Sequence, residues 1–141
     1  MIQRLQSVWL LLAAICAFIT YTLVLYAGTL ADGTQLIFAL GDHFLLVAYI
    51  IALGLLCLIC IFLFKNRKLQ FRLTVFALVL TIGYLVLQYF RIEQFKADNA
   101  IQTGSYQVAA LLPILMVVFL FLAARGIRKD EKLVKSLDRL R

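Results

Sequence analysis

Lys65-Asn66-Arg67-Lys68-Leu69-Gln70-Phe71-Arg72 is a strongly charged break between two long apolar blocks. Its reading decides the fold. It divides the chain into two similar hairpins and indicates on which side of a membrane their ends lie. A second basic segment, Arg125 to Arg141, closes the sequence and agrees with that orientation.

Working outward, the blocks on either side are too apolar for water. The 141 residues are 65% hydrophobic and 15% charged, against roughly 45–50% and about 25% in soluble domains. One domain of this length has no soluble core large enough to hide that much apolar surface. The bilayer is therefore its expected solvent. A single proline and seven glycines leave no flexible linker or low-complexity tract.

Four spans are expected. The first is Val8 to Ala27, about 20 residues, which at about 1.5 Å per residue matches a hydrocarbon core of about 30 Å. A signal-peptide core is usually about 7–15 residues, so this run is expected to be retained as a span. The second runs from Phe44 to Phe64, the third from Leu73 to Phe90, and the fourth from Gln107 to Ala124 with Pro113 bending it. Residues 1–124 then form the membrane unit and 125–141 a cytoplasmic basic tail. The loop Ala31–Asp42 and the loop Arg91–Tyr106 fall on the outer side.

Lys and Arg decide the orientation. The amino end holds one, the middle turn four and the tail seven, while the two outer loops hold none and two. By the positive-inside rule both termini and the middle turn are cytoplasmic. The fold class expected is an all-α antiparallel four-helix transmembrane bundle, multi-pass, with both termini cytoplasmic and a basic amphipathic C-terminal helix. Small residues four apart (Ala13 and Ala17, Ala48 and Ala52, Ala77 and Thr81) are the expected contact stripes. Apolar side chains alone give helices in lipid little reason to associate.

The motifs carry little chemistry. Cys57-Leu58-Ile59-Cys60 has the spacing of a redox pair, but reactive thiols need access and an electropositive neighbour, and these lie within an apolar run. An intramembrane redox enzyme is accordingly the third-ranked reading. His43 is expected to cap the second span together with Asp42, and no metal or haem ligand set surrounds it. No span interior contains Asp, Glu, Lys or Arg, the usual mark of an ion-coupled pump. Tyr84 and Gln88, one turn apart on the third span, form a possible polar pocket. Neither a catalytic motif nor a cofactor motif occurs, so no enzyme activity and no cofactor are expected. Without interleaved aromatics, the basic tail does not suggest nucleic acid.

In the tail, Leu133, Val134, Leu137 and Leu140 recur on one helical face. That face could lie on anionic headgroups or dock a partner. Together with Arg4 these residues are the expected partner contacts.

The start Met1-Ile2-Gln3-Arg4-Leu5-Gln6-Ser7-Val8-Trp9-Leu10-Leu11-Leu12-Ala13 and the tail Lys129-Asp130-Glu131-Lys132-Leu133-Val134-Lys135-Ser136-Leu137-Asp138-Arg139-Leu140-Arg141 together resemble a domain-of-unknown-function family. Its members are small four-helix inner-membrane proteins of Bacteroidetes. Leu137 departs from the smaller residue expected there. The resemblance implies an inner-membrane location and four spans, and it transfers no activity, cofactor or catalytic residue. The leading functional expectation is a non-enzymatic accessory or scaffold subunit of a larger inner-membrane assembly. The alternative is a small oligomeric transporter or channel using Tyr84, Gln88 and the Pro113 bend.

Overall fold

The structure, a computed structural model, describes residues 2–138, and side chains from Leu5 to Val134. Its elements are α1 (Ile2–Thr22), β1 (Val24–Thr29), β2 (Gln35–Ala39), α2 (Phe44–Phe62), α3 (Arg67–Asp98), β3 (Thr103–Tyr106) and α4 (Leu112–Asp138). Four of its helical segments are long and apolar enough to cross a membrane. Helix α1 lies against α2 and α4, and α3 likewise lies against α2 and α4.

One spacing underlies the packing of all four helices. The buried positions include Gln6, Leu10, Ala13, Ala17 and Thr20 on α1, and Leu46, Ile50, Leu53, Cys57 and Cys60 on α2. On α3 they include Gln70, Thr74, Ala77, Thr81, Tyr84 and Gln88, and on α4 Met116, Leu120, Ala123, Ile127 and Asp130. Each set steps by four and three residues in turn, the seven-residue repeat that keeps one seam of a helix on its neighbours. On α3 the inward seam is made mostly of small and polar residues, while Phe76, Val79, Val86 and Phe90 point outward. At Gly54 of α2 a Cβ would sit 3.3 Å from the Cβ of Ala17, so a small pair brings α1 and α2 together.

Of the three expected small-residue stripes, two face inward. Ala13, Ala17, Ala77 and Thr81 are buried, whereas Ala48 and Ala52 are exposed on the outer side of α2. Pro113 also differs from expectation. It stands in the first turn of α4, where its missing N–H has no helical acceptor to lose, and so it starts the helix instead of bending it.

At one end of the helices, three strands form an antiparallel sheet in the order β2-β1-β3. The sequence reading had carried the first span through Ala27, but α1 stops at Thr22 and β1 begins at Val24. Hydropathy cannot separate an apolar strand from an apolar helix, and Thr20, Tyr21, Thr22, Val24 and Tyr26 favour the pleated backbone. The β1–β2 connection is a three-residue loop closed by Leu30 N–H donating to Thr34 O at 2.9 Å. Gly33 takes the left-handed position in it (φ 77°). Leu25, Phe38 and Leu40 are buried in one cluster with Leu46, Ile50, Tyr84, Ile92 and Met116, so the sheet closes that end of the helical interior.

Helix α3 is longer than the expected span and runs to Asp98. It ends on a Schellman motif: Ala100 N–H donates to Ala97 O (3.3 Å) and Ile101 N–H to Lys96 O (3.1 Å). Ala100 occupies the left-handed position at φ 47°, where glycine is usual. The basic segment after Ala124 is helical over its described length, and α4 runs unbroken into it as far as Asp138.

Candidate functional site

The inner face of α3 is the most polar buried surface among the described residues, and its hydroxyls are mostly spent on their own backbone. Thr74 Oγ1 donates to Gln70 O at 2.8 Å and Thr81 Oγ1 to Ala77 O at 2.8 Å, as Thr20 Oγ1 does to Cys16 O at 2.7 Å on α1. Gln70 Nε2 reaches across to α2 and donates to Cys60 O at 2.9 Å. Tyr49 Oη of α2 returns the favour by donating to Leu80 O at 3.0 Å.

Two side chains of this face are left over, and they are the pair the sequence singled out. Tyr84 is fully buried and its hydroxyl has no partner among the described residues. Gln88, one turn on, donates from Nε2 to Ala110 O at a long 3.5 Å, and its Oε1 is also unpartnered. The Tyr49 ring packs beside Tyr84 with centroids 5.7 Å apart. A buried polar atom without a partner costs about 1–3 kcal/mol, and such atoms are usually met by ordered water. Tyr84 Oη and Gln88 Oε1 are thus a donor and an acceptor one helical turn apart with unused hydrogen-bonding capacity.

At the opposite end from the sheet, a cavity of about 500 Å³ is lined by Gln6, Ser7, Ile61, Phe62, Phe64, Arg67 and Gln70. Gln6 Nε2 is buried there without a partner among the described residues. The sequence reading did not single out Gln6 or Gln70. Their place in the same four-three repeat as Leu10 and Thr74 is the signal that would have found them.

The expected partner contacts are only partly in view. Leu133 and Val134 are 45% and 41% exposed on α4. Leu140 and the side chains of Arg4 and Leu137 lie outside the described residues. The beginning of α1 meets the middle of α4, for a Cβ on Gly126 would come within 2.9 Å of Gln6 Cγ. Trp9 also stacks on Phe119 at 5.8 Å.

The remaining candidates are structural. Cys16, Cys57 and Cys60 are buried free thiols. No three His, Cys, Asp or Glu side chains gather into a metal-binding group among the described residues. His43 precedes α2, but no side-chain bond caps the helix, and this corrects the capping expectation. Its ring instead stacks on Phe38 at 4.2 Å, and burial lowers its pKa although Asp42 pulls the other way.

A family model described as Domain of unknown function (DUF4293) matches residues 2–140. The chain belongs to this family. No curated protein and no solved structure matches it. The DUF4293 match takes in all seven elements, so the sheet, the α3 stripe and the basic end of α4 all fall within one family domain.

Proposed function

We propose that the protein is a non-enzymatic accessory or scaffold subunit of a larger inner-membrane assembly. Its four helices form an antiparallel bundle with both termini and the α2–α3 turn in the cytoplasm. Lys and Arg support that orientation: those of the amino end, the middle turn and the C-terminal segment outnumber those of the two outer connections by twelve to two.

The carrying observation is the outward direction of Ala48 and Ala52. Small residues four apart in a membrane helix let a second helix approach closely. Here that pair is exposed beside an apolar groove of about 310 Å³ lined by Tyr49, Leu53, Leu56 and Leu80. A transmembrane helix of the host assembly fits such a surface. The basic end of α4, with Leu133 and Val134 outward, supplies the cytoplasmic contact.

The test is mild-detergent purification of the tagged chain followed by mass spectrometry. The wild type is expected to bring down one membrane protein in stoichiometric amount. Ala48→Leu with Ala52→Leu, or deletion of residues 127–141, is expected to release it while insertion persists. A clean monomer from wild type overturns the proposal.

A small oligomeric transporter or channel is the second reading, favoured by the two unpartnered atoms at Tyr84 and Gln88. Against it, the inner faces of α2 and of α4 within the apolar spans carry apolar residues, and a conduit needs polar lining on more than one wall. Solute uptake into vesicles that is lost in Tyr84→Phe would revive it.

A further inference from the structure

A second groove runs between α3 and α4 near the basic end, with a volume of about 530 Å³. Its floor is apolar, formed by Phe71, Val75 and Leu78 of α3 and by Phe121 of α4. Its mouth is basic. Arg125, Arg128, Lys129 and Lys132 all line it, and at offsets of three, four and seven they share one face of α4.

Among the described residues no carboxylate lines this groove. Asp130 is 7% exposed and belongs to the inward seam instead. The cavity lined by Gln6 and Gln70 at this end carries one cation among its described lining residues, Arg67. From Phe121 to Lys132 is eleven residues, or about 16 Å along the helix, room for a phosphate among the cations and the upper part of an acyl chain below it.

We infer that this groove binds one anionic phospholipid. Its acyl chain lies along Phe71, Val75, Leu78 and Phe121, and its phosphate sits among the four cations of α4. Free phosphate would satisfy the cations but leave the apolar floor uncovered. A zwitterionic lipid would cover the floor but bring no net charge to four cations. Basic pockets between membrane helices bind acidic headgroups for this combined reason. The inference rests on the membrane-spanning reading and is independent of the accessory-subunit proposal.

Native mass spectrometry of the full chain, exposed to equal phosphatidylglycerol and phosphatidylcholine in mild detergent, tests it. One phosphatidylglycerol per chain is expected to be retained. Arg128→Gln with Lys132→Gln is expected to weaken its binding about thirtyfold. Lys65→Gln with Lys68→Gln removes the same charge outside the groove and is expected to leave the adduct in place. Val75→Trp fills the floor without changing charge and is expected to abolish the adduct. Equal retention of the two lipids, equal loss in both charge-removed pairs, or displacement by millimolar glycerol 1-phosphate would each overturn the inference. So would a groove that binds no lipid and instead crosslinks to a protein.

Discussion

The two ends of the molecule are finished in different ways. At the sheet end the chain closes on itself with directional contacts. Lys96 Nζ lies 2.6 Å from Glu93 Oε1 and about 5 Å from the ring centroids of both Tyr26 and Tyr106, whose hydroxyl donates to the same carboxylate at 3.2 Å. Thr29 and Thr103 bond across β1 and β3 at 2.6 Å. At the basic end the chain leaves a cavity, a groove and the unpartnered Gln6 amide. The first end is held by directional contacts within the chain, whereas the second leaves apolar and basic surface open.

Glycine substitutions should break this contrast most sharply. A Cβ on Gly104 would overlap the Tyr26 hydroxyl and come 2.9 Å from Ala27 O. Gly104→Val should therefore part β3 from β1 and cost about 3 kcal/mol, read as a fall in thermal midpoint in detergent. Gly126→Ala at the other end meets only the flexible Gln6 chain and should cost well under half as much.

Within the basic end, two glutamines should respond with opposite signs. Gln70→Leu gives up the bond to Cys60 O and should cost about 1 kcal/mol, whereas Gln6→Leu removes an unmatched amide and should be neutral or stabilising. Paired thermal melts decide it, and an equal loss in both would mean that Gln6 has a partner.

Smaller effects sharpen the picture at the sheet end. Ala100→Gly relieves a left-handed alanine and should stabilise by about 0.5–1 kcal/mol in the same assay. His43 should give the smallest signal. Its folded pKa lies below the ordinary 6.5, so its contribution is fully present above about pH 6.5 and is lost as pH falls toward the folded value. The wild-type midpoint should drop on acidification through that window, and His43→Gln should flatten the slope.

How legible all this was depends on what hydropathy encodes. It marked the four apolar segments and the turn at Lys65, because crossing lipid demands length and apolarity alone. It was blind at Leu23 to Thr29, where strand and helix are equally apolar and only the β-branched and aromatic content differs. Asp32-Gly33 was a readable hairpin signal that the loop assignment passed over. Tyr84 and Gln88 were legible as a pair because they fall one turn apart. Their unpartnered atoms were not, since a missing bond depends on what the other helices place opposite. Likewise nothing in Ala48 and Ala52 distinguishes them from Ala13 and Ala17 until the packing turns one pair out.

Helix α4 carries a mechanical consequence. At 27 residues it measures about 40 Å, longer than the roughly 30 Å of hydrocarbon it would cross. Being unbroken, it is a strut with no hinge at the membrane surface. The same rigid element therefore runs from the basic face at Arg128 and Lys132 to Leu112, two residues from the Ala110 carbonyl to which Gln88 Nε2 donates at 3.5 Å.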